Sequence, residues 1–206
     1  MNAQEFEELI ALGHEQRGVE FKRGGSRKSD KQLLAKIVRA VIGMANRRDG
    51  GRVVLGVDED SNGIPIPVGI TDDDLATWSY DDFADSLAEY TDPGISFELE
   101  VVETQGRRFL VIHVHEFEDI PVLCKKDYPQ IIRAGACYVR TRRKPETLEI
   151  PTQTDMRDLL DLAIEKGVRR FVSQAQAAGL AFSGIEQNSD AQLFNKQLSD
   201  LLGEFE

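Results

Sequence analysis

Residues 18–60, GVEFKRGGSRKSDKQLLAKIVRAVIGMANRRDGGRVVLGVDED, carry the pattern on which the fold turns. GVEFK, bounded by Gly18 and Gly24, reads as a short strand. Ser29 is the expected N-cap of a helix running to about Asn46, because Leu33, Leu34, Ile37, Val38, Val41, Ile42 and Met44 make a broad apolar face. Gly50-Gly51 turns the chain into RVVLGVD, a β-branched run that ends in acid. Such a run is a buried strand with a polar exit.

Working outward, Glu5 to Leu12 suits a short amphipathic helix ending at Gly13. Downstream come a Pro- and Gly-rich hairpin-like stretch from Asn62 to Gly69 and a short helix from Tyr80 to Tyr90. Ser96 to Val102 and Arg108 to Val114 alternate as strands, and Gln105-Gly106 joins them as a hairpin. ACYVRT is a further strand, Thr152 to about Ala178 is helical, and a last helix is predicted from Asp190 to Leu202. The sum is an α+β domain over residues 1–150, with a mixed sheet flanked by helices, and a helical C-terminal extension over 151–206.

The chain has 206 residues and a formal net charge of -11. Taken as an average, that argues against a nucleic-acid partner. The distribution says otherwise. Residues 23–52 carry nine basic side chains against two acidic ones, and residues 125–144 carry seven against one. These fifty residues hold a surplus of +13, so the remaining 156 hold -24. A basic face on an acidic body is a nucleic-acid footprint that net charge conceals. No apolar run reaches the roughly 18 residues a spanning helix needs, and the N-terminus lacks the pattern of a signal peptide. Cys124 and Cys137 form no CxxC pair, which fits buried free thiols in a reducing compartment. A cytoplasmic protein with no membrane partner is expected.

Asp58 to Gly63 begins like a calcium loop but has Gly69 where the bidentate Glu is required. His113 and His115 lack a third ligand nearby in sequence, so zinc is not expected. No GxGxxG, GK[ST] or GxSxG is present, so there is no expectation of an organic cofactor or a serine nucleophile. Glu15 and Glu20 flank the entry to one predicted strand and Asp58 ends another. If they converge, three carboxylates beside a basic face suit Mg²⁺ or Mn²⁺ and phosphodiester hydrolysis.

The succession from Glu15 to Lys22 (EQRGVEFK), the helix-terminal Ala45-Asn46, GGRVVLGVDED, IPVLCKKDYP and RAGACYVRT resembles the Schlafen AlbA domain from about Glu15 to Arg142. The resemblance implies an α+β fold associated with DNA binding, and related modules in animal Schlafens form a metal-dependent RNase that cuts tRNA and rRNA. It places the two family glutamates on Glu15 and Glu20 and the aspartate on Asp58, as ligands of Mg²⁺ or Mn²⁺. Lys22 falls beside the metal or the scissile phosphate. Arg140, Arg142 and Arg143 would continue the binding surface, and with the two basic runs the expected nucleic-acid contacts are Arg23, Arg27, Lys28, Arg47, Arg48, Arg140, Arg142, Arg143 and Lys144. YVRTRRKPE and NRRDGG depart from the usual family wording and add positive charge. Since animal Schlafens build their groove from two lobes, a single lobe implies a homodimer, with the C-terminal helices as candidate interface. Three readings follow: a metal-dependent endoribonuclease acting on structured RNA such as tRNA, in stress response or phage defence; a non-catalytic RNA- or DNA-binding regulatory module; and a protein-interaction domain.

Overall fold

The computed structural model describes residues 1–142 and 144–179. Its elements in chain order are α1 (Ala3–Ala11), β1 (Val19–Lys22), α2 (Lys31–Ala45), β2 (Gly51–Leu55), β3 (Val57–Glu59), β4 (Pro65–Pro67), α3 (Asp72–Leu75), α4 (Tyr80–Tyr90), β5 (Thr91–Asp92), β6 (Phe97–Thr104), β7 (Arg107–Val114), β8 (Leu123–Cys124), β9 (Tyr138–Arg140), β10 (Thr147–Glu149) and α5 (Gln153–Ala177). The chain divides into two units, 1–167 and 168–206. In the second, α5 continues through Ala177. The helix predicted from Asp190 to Leu202 lies outside the described residues. Among the described residues no helix is long and apolar enough to cross a membrane.

The α+β expectation holds. The central sheet has the order β1-β2-β7-β6, with β1 parallel to β2 and the other pairs antiparallel. Its two faces follow from strand alternation, since successive side chains point to opposite sides. Val53, Leu55, Leu110 and Ile112 face α2, whereas Phe21, Val54, Phe109 and Val111 face α1 and its Phe6. Phe6 and Phe109 pack with ring centroids 4.3 Å apart. On β1, Val19 and Phe21 join the α1 side, so Glu20 and Lys22 must point to the α2 side, at the edge of the sheet.

Three local readings are corrected. The N-cap of α2 is Asp30, one residue beyond Ser29, and its carboxylate accepts the Leu33 N–H at 2.9 Å. RVVLGVD is two strands, because Gly56 adopts φ of 104°, a conformation that side-chain-bearing residues rarely reach, and this bend sends β3 into a separate hairpin with β4. The stretch after YVR contains a further strand, β10, antiparallel to β9, with Arg140 opposite Thr147. The predicted Gln105-Gly106 hairpin is present, with both residues at positive φ.

Candidate nucleic-acid interface and the Glu15–Glu20–Arg140 cluster

Glu20 sits on a buried position of an edge strand, with its side chain only 6% exposed. A carboxylate there needs partners, because an unpaired buried charge is expensive. Arg140 supplies them from the facing strand β9. Its side chain is 1% exposed, and each guanidinium nitrogen is engaged inside the fold. Nη1 donates to Glu20 Oε2 at 2.9 Å. Nη2 donates to Glu15 Oε2 at 2.8 Å and to the carbonyls of Val19 and Gln16. Nε donates to the Arg17 carbonyl.

The remaining carboxylate oxygens are also taken. Thr147 Oγ1 donates to Glu20 Oε2 at 2.8 Å, Lys22 Nζ lies 2.6 Å from Glu20 Oε1, and the Phe21 N–H donates to Glu15 Oε1 at 2.6 Å. Burial pushes the Glu20 carboxyl up, but the charges of Lys22 and Arg140 and the hydrogen bonds from Lys22 and Thr147 outweigh it and hold Glu20 below the usual carboxylate range. For Glu15 burial wins over the Arg140 and Phe21 contacts, and its carboxyl is raised. The two partners of one guanidinium thus move in opposite directions. Lys22 accounts for the difference: of the two carboxylates its ammonium bonds only to Glu20.

Asn46 explains how Arg140 is aimed. It caps α2 and is buried, where its Nδ2 donates to the carbonyls of Val122 and Tyr138 at 2.8 and 2.9 Å and its Oδ1 accepts the Val122 N–H. This ties β9 to the end of α2, two residues from Arg140.

The structure brings Glu15, Glu20 and Lys22 together, but not as a metal site. All four glutamate oxygens already accept from protein donors, and the Arg140 guanidinium bridges the two carboxylates. Asp58 is exposed on β3 and lines a groove to which Lys22 also contributes. Among the described residues no group of three or more His, Cys, Asp or Glu side chains is placed to hold a metal ion. The residues in this arrangement do not fit the Mg²⁺ or Mn²⁺ that the resemblance implies.

The basic residues expected at a binding surface separate into distinct groups. Arg140 is corrected from surface to interior, as above. Arg27 is also interior: it braces the loop before α2 by donating to the Thr77 carbonyl and to Ser86 Oγ at 2.8 Å each, with Asp82 at 3.1 Å. Lys28 is exposed and 4.0 Å from Asp82. Arg47 is half-buried and donates to the Gly50 carbonyl, while Arg48 and Arg142 are exposed and paired with Glu165 and Asp158. Lys144 is exposed, and Arg143 lies outside the described residues.

Arg23, paired with Asp30, lines a groove of about 330 Å³ together with Lys22, Gln32, Lys36, Arg39, Asp58 and Glu59. Lys36 and Arg39 are the residues missed at this place. Their signal was present, since Gln32, Lys36 and Arg39 recur at helical spacing on the polar face of α2. Arg39 Nε is buried there without a hydrogen-bond partner.

A small mixed-sheet α+β domain with a basic groove beside an internally neutralised acid pair is the class that fold and site define. The chain matches the family Schlafen, AlbA_2 over residues 15–149, and it belongs to that family. Among solved structures, a protein from Corynebacterium diphtheriae is similar at 17% identity over 71% of this chain and 26% of its own, with a TM-score of 0.47. The chain therefore spans about a quarter of that protein's length. The N-terminal domain of a Nitrosomonas europaea protein named as related to the ATP-dependent DNA helicase RecG is similar at 25% identity over 66% of this chain and 88% of its own, with a TM-score of 0.48. No curated protein matches the chain at a comparable level.

Proposed function

We propose that this chain is a nucleic-acid-binding domain that grips phosphates without a metal, in the groove lined by Lys22, Arg23, Gln32, Lys36 and Arg39. Membership of the Schlafen, AlbA_2 family supports a nucleic-acid role. The observation that carries this particular site is Arg39. A buried guanidinium nitrogen without a partner is costly to maintain, and a phosphate oxygen arriving in the groove relieves it. Lys36, exposed one turn earlier on α2, adds a second cation along the same line. The contacts are to phosphate, so the groove takes RNA and DNA alike, and base or shape preference must come from elsewhere. The free thiols of Cys124 and Cys137 suit a reducing, cytoplasmic setting.

Fluorescence anisotropy with labelled tRNA and a DNA duplex, in EDTA and in Mn²⁺, tests this reading. Binding is expected to be the same in both solutions. Lys36→Ala combined with Arg39→Ala should weaken it at least about tenfold and reduce the slope of log K against log salt by about 2, two phosphate contacts being lost. Unchanged affinity in that double variant would remove the groove from the interface. Mn²⁺-dependent cleavage of tRNA, abolished in Glu20→Gln and Asp58→Asn, would restore the metal-dependent endoribonuclease in place of a binding module.

A further inference from the structure

The first part of α5 lies beyond the family match, which ends at residue 149. Within the first unit it carries Asp155, Asp158, Asp161 and Glu165, spaced by three, three and four residues and therefore on one helical face. The segment is anchored at neighbouring positions of the same side, because Leu159 and Leu162 are buried in the main core. The acids are thus held in fixed positions over a set of cations drawn from three other places in the chain. Arg17, Arg47, Arg48 and Arg142 line a groove of about 390 Å³ together with Asp49, Asp155, Asp158 and Asp161.

Arg48 forms a two-pronged ion pair with Glu165, and Arg142 Nε lies 2.7 Å from Asp158 Oδ2. Arg17 feels the like charges of Arg47 and Arg142 and the opposite charges of Asp158 and Asp155. The match is incomplete. Arg47 Nε and Asp158 Oδ2 are both buried without a well-aligned hydrogen bond, although Asp158 is close to Arg142. Four cations crowded together and screened by carboxylates set at helical intervals make a surface that would otherwise attract a phosphate chain.

We propose that the acidic face of α5 occupies in cis a second phosphate-binding surface made by Arg17, Arg47, Arg48 and Arg142, so that nucleic acid reaches this surface only when those carboxylates are neutralised or displaced. This rests on the nucleic-acid reading above and adds to it a regulated extension of the interface. Arg17 is the member of this surface to which sequence spacing gave no pointer.

The test compares the full chain with a variant carrying Asp155→Asn, Asp158→Asn, Asp161→Asn and Glu165→Gln, and with a control in which four exposed acids elsewhere are removed: Glu8→Gln, Asp85→Asn, Glu103→Gln and Glu118→Gln. Affinity for a labelled RNA and a DNA duplex is measured against salt. The α5 variant should bind at least about tenfold more tightly than the control at equal charge, with a slope steeper by about 2 to 4 because two to four phosphate contacts are gained. Adding Arg17→Ala and Arg142→Ala to it should erase the gain. Asp158→Asn alone should give part of the gain and guards against loss of fold in the quadruple variant. A gain no larger than the control's, or one that survives removal of Arg17 and Arg142, overturns the proposal while leaving the Lys36–Arg39 groove standing. Absence of binding by every form overturns both.

Discussion

Arg140 shows why residue type and surface role are separate questions. It lies in a basic run, yet its guanidinium is wholly internal and balances Glu15 and Glu20. Removing one member of such a buried cluster strands the others, at a cost of about 3 to 5 kcal/mol. Glu20→Gln should therefore destabilise the protein by about that amount at pH 7, measured by urea unfolding. The pH dependence follows from the depressed carboxyl of Glu20. Its contribution is fully present above the unfolded-chain value of roughly 4.3 and is lost as pH falls through the lower folded value. The penalty of Glu20→Gln should shrink across that window. Glu15, whose carboxyl is raised, has the opposite sign: its favourable contribution is present below roughly 4.3 and is lost as pH rises through the folded value. Glu15→Gln should accordingly cost less than Glu20→Gln at pH 7. Equal penalties with no pH trend would contradict this account.

At the scale of elements, those with strong periodicity were legible. α2 shows its apolar face, and the β6–β7 hairpin shows alternation on both sides of Gln105-Gly106. The short pieces were not. β10 is three residues long and pairs only with β9, so its sequence carries almost no pattern. It nevertheless supplies Thr147, which bonds to Glu20. The fit of α2 on β10 turns on Gly43, where an added Cβ would stand 2.5 Å from Thr147 Cγ2. Thr147 is short and β-branched and has little freedom to yield. Gly43→Ala would gain about 1 kcal/mol in helix propensity and lose about 1 to 3 kcal/mol to overpacking. A net loss of stability is expected, and it should be smaller when Thr147→Ala is present as well. Stabilisation by Gly43→Ala in the parent chain would show that α2 and β10 are not packed this closely.

Over the whole molecule, the basic residues that cluster in sequence do different jobs. Arg27 and Arg140 hold the interior, Arg48 and Arg142 answer the acids of α5, and Lys36 and Arg39 line an open groove. Because Arg140 already serves as the cation of the acid pair, folding should not be linked to a metal. The midpoint of thermal unfolding is expected to be the same in EDTA and in millimolar Mn²⁺. A ligand that bound only the folded state at 100 times its Kd would instead add about 2.7 kcal/mol. A clear rise in Mn²⁺ that vanishes in Glu20→Gln would show a metal displacing the guanidinium.

Sequence by itself determined the α+β class, the strand–helix–strand unit around α2, the family, and the placing of Glu20 on β1 with Glu15 shortly before it. These follow from local periodicity and from motif order, both of which survive in one dimension. Only the tertiary structure decided what the two glutamates hold and which cations line an open groove. The physical reason is that charge pairing in a low-dielectric interior is set by contacts between distant segments. Arg140 reaches Glu20 across 120 positions of chain, and no local pattern encodes which of the many basic residues will make that contact.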